Sequence, residues 1–192
     1  MKRYIRSAVA DVTSEEYGDK MEMAESAETS SYVLKQLATD DNRFIRKAVA
    51  ENKNTPAEVL KLLVADTYAG VRESVARNPN ATAEVLSCLV SDYSEIIRNA
   101  IVLSPNVTDK ILMELLKNDN KDNDNAFMVA RCEKASPTIL TYIFEHVDSD
   151  DYSVMRRLAR NPNTPIEILR ALSEFPTEYV SIPAKNHLEK LK

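Results

Sequence analysis

Four aspartates each precede an arginine by six residues: Asp40 and Arg46, Asp66 and Arg72, Asp92 and Arg98, Asp150 and Arg156. A guanidinium offers five donors in a planar fork, so it can grip a carboxylate and still bond loop carbonyls where helices meet. The same arginines in a row could contact phosphates instead. Each comes with a matched carboxylate that would satisfy it internally, so the spacing predicts a structural ladder. Arg156, Arg157, Arg160 and Arg170 form a local basic cluster near the C-terminus.

Other reactive residue types are sparse. His146 and His187 have no companion at metal-ligand spacing and read as surface or capping residues. Cys88 and Cys132 form no CxxC and fall in apolar helical patterns, which predicts small buried hydrophobes in a reducing compartment. The run NDNKDNDNA from Asn118 superficially suggests a calcium loop. Such a loop needs Gly at its sixth position and Glu at its twelfth, where this chain has Asn123 and Val129. A hydrated inter-repeat loop is the expectation. No catalytic triad or dyad and no pKa-raising setting for a carboxylate is indicated, so the chain reads as non-enzymatic, with no cofactor and no metal.

Composition narrows the classes further. The chain has 192 residues, 44% apolar and 29% charged, with net charge −5. That supports a sizeable core and is too apolar for a disordered chain. Gly18 and Gly70 are its two glycines, which excludes glycine-rich phosphate loops. No apolar run approaches a membrane span, and the N-terminal MKRYIRSAVADV lacks the apolar core of a secretory signal. A cytoplasmic protein is expected.

The elements that position these residues repeat. RKAVAENKNTPAEVLKLLVAD from Arg46 is followed by RESVARNPNATAEVLSCLVSD from Arg72 and RNAIVLSPNVTDKILMELLKND from Arg98. The arginines are 26 residues apart, as are Leu60, Leu86 and Leu112. Val49, Val75 and Ile101 share one position, and Val59, Val85 and Ile111 another. Weaker copies begin at Met128, with Ala126 at the arginine position, and at Val154 after one deleted residue. Within each unit, apolar residues at i, i+1, i+4 and i+5, such as Val85, Leu86, Leu89 and Val90, predict two short helices. Thr55-Pro56-Ala57-Glu58 and Thr164-Pro165-Ile166-Glu167 predict capping boxes with Thr at the N-cap. Asn78-Pro79 and Asn161-Pro162 predict helix ends.

A 26-residue unit cannot bury both helix faces alone, whereas stacked units can. The expected fold is all-α, an α-solenoid of about six two-helix repeats forming one domain over 1–192. Its parts would be an atypical N-terminal repeat with an insertion (1–42), clear repeats (43–119), a degenerate repeat (120–150), a repeat (151–175) and a C-terminal cap (176–192). The N-terminal YIRSAVADV matches FIRKAVAEN, which makes the acidic, Met-containing TSEEYGDKMEMAESAE an inserted connection.

The motif R-x-x-V-A-x-N-P-x-T-P, followed by a V-L-x-x-L helix and an Asp, resembles the leucine-rich repeat variant family and is similar to short HEAT-like repeats. The resemblance covers most of 30–172. It implies a right-handed superhelix alternating an α-helix with a shorter or 3₁₀ helix, and a partner-binding concave face. Some family members ligate an iron–sulfur cluster through N-terminal cysteines; no cysteine precedes Cys88 here, so that cofactor is not carried over.

The concave face would be formed by the R-x-x-V-A helices. Lys47, Glu73 and Asn99 point outward in one row, and Glu51, Arg77 and Leu103 in the next. The core positions are nearly constant between repeats while these rows change charge and polarity, as a specific peptide or protein surface requires. The predicted function is a monomeric scaffold binding a protein or peptide there. The alternative is a DNA-associated, glycosylase- or repair-type protein using the C-terminal arginines. Residues 1–152 carry 18 basic against 26 acidic residues and the chain has no Trp, which disfavours nucleic acid.

Overall fold

A computed structural model describes residues 16–118 and 124–191. The chain divides into two compact units, Met1–Leu89 and Val90–Lys192. Among the described residues there is no strand, and every regular element is a helix. None is long and apolar enough to cross a membrane.

In the first unit the described part of α1 covers 16–25. It is followed by α2 (Ser31–Leu37), α3 (Arg43–Glu51), α4 (Ala57–Leu63), α5 (Ala69–Arg77) and α6 (Ala83–Ser87). Helices of five to nine residues are marginal in isolation, so tertiary burial must hold them. α3 buries Ile45, Ala48, Val49 and Ala50, and α5 buries Val71, Val75 and Ala76 at the matching positions. α4 and α6 supply Val59, Leu60 and Leu63, then Val85 and Leu86. α3 packs on α5, and α4 packs on α6. Arginine-bearing helices and leucine-bearing helices thus form two separate layers.

The second unit repeats this order with α7 (Glu95–Leu103), α8 (Asp109–Lys117), α9 (Asp124–Ala130), α10 (Pro137–His146), α11 (Tyr152–Arg160), α12 (Ile166–Ser173) and α13 (Glu178–Lys190). α9 packs against both α7 and α11, and α11 against α13. The buried set again recurs in register: Ile97, Ala100, Ile101 and Val102 on α7, and Val154, Met155, Leu158 and Ala159 on α11.

Three local expectations are corrected. The segment assigned to an inserted connection includes α1. Its Lys20, Ala24 and Ser26 stand 26 residues before Arg46, Ala50 and Asn52, so it holds the place of an arginine-bearing helix. Ala24 is fully buried, and Lys20 pairs with Asp40 at 3.1 Å. Ala24 is the one buried side chain among residues 16–25, so a polar sequence suffices there. The N-terminal copy YIRSAVADV and most of the acidic loop after Asn118 lie outside the described residues.

The capping boxes are shifted by one position. α4 and α12 start after Pro56 and Pro165, which are the N-caps and have no side chain to accept a bond. Thr55 and Thr164 turn back instead, each donating its hydroxyl at 2.6 Å to the carbonyl of Val49 or Leu158. Where a hydroxyl residue replaces that proline it does cap, as Thr82, Thr108 and Ser136 do for Val85, Ile111 and Ile139.

Cys88, expected to be buried, is exposed, because α6 ends at Ser87 and leaves it at the C-cap. Cys132 is buried, as its apolar pattern predicts.

Candidate functional site

The arginine helices end at a residue that turns extended, and that residue ties one repeat to the one before. Asn52 donates its amide hydrogens to the carbonyls of Ala24 and Ser26, both at 2.8 Å. Asn78 donates to Ala50 at 2.7 Å and Asn52 at 2.9 Å, and Asn161 to Ala130 and Cys132, both at 2.9 Å. Each Oδ1 accepts the backbone N–H two residues on, from Asn54, Asn80 or Asn163. A second row follows. Asn80 donates to Lys53 and Thr55, and Asn163 to Glu133 and Ala135, while Lys134 reaches Ser104 and Pro105 with its ammonium.

Sequence reasoning missed this role. Its signal was the recurring Asn-x-Asn at 52–54, 78–80 and 161–163, read above only as helix-ending punctuation. Proline is not the cause of the ending. Asn52 is followed by Lys53 yet has the same extended backbone as Asn78. The amide anchors hold it there.

Cys132 occupies the anchor position between repeats of the second unit, and its thiol makes one weak bond to the Val102 carbonyl at 3.5 Å. Cys132→Asn should therefore add an amide anchor. We expect stability to rise by about 1 kcal/mol, read as a higher urea midpoint at unchanged slope. An unchanged or lower midpoint would show that the site cannot seat the amide.

The arginine ladder exists with different partners. Arg46, Arg72 and Arg98 each donate Nη1 to the backbone carbonyl of the aspartate six residues earlier, at 2.7–2.8 Å. The carboxylate that Arg46 grips is Asp66, twenty residues later, at 2.6 and 3.0 Å in a two-pronged bridge. Arg98 makes the analogous bond to Asn125 at 2.9 Å. The aspartates meanwhile cap the next helices, taking the N–H groups of Asn42, Tyr68 and Ser94 through Oδ1. Burial works to raise the Asp66 carboxyl, but the Arg46 bridge and the Tyr68 N–H outweigh it and hold the pKa below the usual value. Asp40 is lowered against the same burial by the Asn42 N–H and Lys20.

Arg156 does not join the ladder. The register set by Asn161 puts the buried Met155 at the arginine position, and Arg156 at that of Lys47. Its guanidinium lies 4.2 Å over the ring of Tyr179 and donates to the Tyr179 hydroxyl at 3.2 Å. Arg157 lies 4.7 Å over Phe127. Arg170 is on α12, in the other helix layer, so the C-terminal cluster does not act as one group.

The six expected binding residues divide by row. Glu51, Arg77 and Leu103 are exposed, and Lys47, Glu73 and Asn99 half-buried. In the first unit Lys47 pairs with Glu51 at 2.5 Å and Arg77 with Glu73 at 3.0 Å, each one turn along its own helix. Ser74 donates to Glu51 at 3.3 Å and links α5 to α3. In the second unit Leu103 presents an apolar side chain, and Asn99 has a shielded Oδ1 with no donor. The register extends these rows to Phe127 and Arg131, then Arg156 and Arg160.

The histidines take surface positions. His146 stacks on Tyr142 with ring centroids 4.1 Å apart, and His187 reaches the Ala159 carbonyl through Nδ1 at 3.3 Å. Among the described residues no three His, Cys, Asp or Glu side chains gather as a metal site requires.

Residues 43–67 match the leucine rich repeat variant family. No curated protein and no solved structure matches the chain. The matched segment opens with α3 and closes after Asp66, so the Arg46–Asp66 bridge and the first anchor pair, Asn52 and Asn54, all fall inside it. Residues 43–67 are thus similar to a leucine rich repeat variant unit, and among the described residues every regular element around them is a helix in a repeat-like order.

Proposed function

We propose that this chain is a non-enzymatic repeat scaffold that binds a protein or peptide on its layer of arginine-bearing helices. Lys47, Glu51, Glu73 and Arg77 would make the contacts in the first unit, and Asn99 and Leu103 in the second. One observation carries the reading. Core positions barely change between repeats and the anchor is Asn at 52, 78 and 161, while two outward rows run from ion pairs to amide to leucine. A regular core carrying varied outer rows supports selective recognition. A family repeat at 43–67 supports a scaffold role as well. The free thiols Cys88 and Cys132 fit a reducing compartment.

The test is affinity capture from a lysate of the source organism with wild type and Glu73→Lys/Arg77→Glu, followed by titration of any captured protein in purified form. The swap keeps an opposite-charge pair one turn apart on an exposed face, so stability should stay within about 0.5 kcal/mol. A stoichiometric complex weakened at least tenfold by the swap is expected. A complex indifferent to it would remove these rows from the interface.

A further inference from the structure

We infer that Arg131, the residue just after α9, and the outward arginines of α11 bind an acidic protein segment that also carries an aliphatic side chain. The inference rests on the scaffold reading above but not on the rows at Glu73 and Arg77, because it places the contact on the second unit and names its chemistry.

In the first unit Arg46, Lys47, Lys61 and Arg77 each meet a carboxylate, those of Asp66, Glu51, Glu84 and Glu73, while Arg43 lies over the rings of Phe44 and Tyr68. In the second, the guanidiniums of Arg156 and Arg157 are held by the faces of Tyr179 and Phe127. A ring quadrupole orients a guanidinium without cancelling its charge. Arg131 and Arg160 are exposed and have no ion pair or hydrogen bond among the described residues. Four arginines are thus presented in fixed register with their charge unspent, as bidentate recognition of carboxylates requires.

Spacing and shape select the ligand. Arg131 and Arg160 precede the equivalent residues Cys132 and Asn161 at the C-terminal ends of α9 and α11, which are in contact, and packed helices lie roughly 8–10 Å apart. An extended peptide advances about 3.3 Å per residue, so acidic side chains two to three residues apart match that interval. Beside Arg160, Pro162, Ile182, Pro183, His187 and Lys190 line a cleft of about 430 Å³ that combines apolar and basic side chains. Ile182 is 47% exposed there and gives an aliphatic side chain something to cover. Phosphate oxygens would use the arginines but not this cleft. The rings of Tyr179 and Phe127 beside these arginines already have guanidiniums over them, which leaves a base less to stack on.

The probe is fluorescein-labelled (Glu-Leu-Asp)4-amide, titrated with the full chain at 0.15 M salt and read by anisotropy. Its comparisons are (Gln-Leu-Asn)4, (Glu-Ser-Asp)4 and a 20-base-pair duplex. Saturable binding of the first peptide is expected, at least tenfold tighter than each of the others. Arg131→Glu/Arg160→Glu should weaken it at least tenfold, and these side chains make no internal bond whose loss could unfold the protein. Lys35→Glu, an exposed change on α2 of the first unit, should leave it within twofold. Absence of binding, equal binding by the Arg131/Arg160 variant, or tighter binding of the duplex would overturn the inference. Loss only in the Lys35 variant would overturn it too, while leaving the proposed scaffold function standing.

Discussion

Asn78→Ala is expected to lower unfolding stability by about 3 kcal/mol. Asn78 is 2% exposed and uses its whole amide: two hydrogens on the carbonyls of Ala50 and Asn52, and Oδ1 on the Asn80 N–H. Ala50 is in the last turn of α3, where carbonyls have no partner within the helix. Alanine would strand that carbonyl, a buried acceptor, at a cost of about 1–3 kcal/mol beyond the lost bonds themselves. Asn78→Asp gives the sharper comparison. Aspartate preserves the shape and still accepts from Asn80, but it turns a carboxylate oxygen toward two carbonyls. If the amide donors hold the repeats together, Asp should cost at least as much as Ala at pH 7 in urea unfolding. An Asp variant within about 1 kcal/mol of wild type would mean that the anchors contribute little.

The contrast between what was legible in the sequence and what was not has a physical basis. The period and the buried rows were readable because apolar side chains at Val49, Val75 and Ile101 recognise each other, and both partners leave a mark in the sequence. The anchors were not, because Asn52, Asn78 and Asn161 bond to backbone carbonyls, which every residue has. The ladder was half readable for a different reason. In a 26-residue period, an aspartate six residues before one arginine is also twenty residues after the previous one. Sequence spacing alone cannot separate these relations, and the structure uses both: the carbonyl for the first and the carboxylate for the second. At Arg156 the one-residue deletion rotated the helix, so that Met155 faces inward and the arginine outward. Lys47, Glu73 and Asn99, expected to point outward, are half-buried, while Glu51, Arg77 and Leu103 are exposed. Their pairing was missed because a glutamate one turn away can neutralise a cation without altering the apolar pattern.

Arg46→Ala is expected to cost about 3 kcal/mol at pH 7 and to change how stability responds to acid. The Asp66 side chain is 6% exposed and that of Arg46 15%, so removing the guanidinium leaves a nearly buried carboxylate supported by the Tyr68 N–H and the more distant Arg72 charge. In the wild type the folded Asp66 titrates below 3.8, because the Arg46 bridge and the Tyr68 N–H outweigh burial. A lowered folded pKa contributes stability that is complete above the unfolded value and is lost as pH falls through the folded one. Wild type should therefore hold its full Asp66 contribution from neutrality down to about pH 4 and lose it below. In the variant burial acts with far less opposition and raises the carboxyl. Protonation then relieves an unpaired charge, and the deficit relative to wild type should shrink as the pH drops through 3.8. Urea unfolding from pH 7 to pH 3 reads both limbs. Arg46→Met/Asp66→Asn completes the cycle: its uncharged amide still accepts from Tyr68, so the double variant should be more stable than Arg46→Met alone. A deficit that stays constant across this range would show that Arg46 acts through its bonds to the Asp40 and Asp41 carbonyls rather than through the Asp66 bridge.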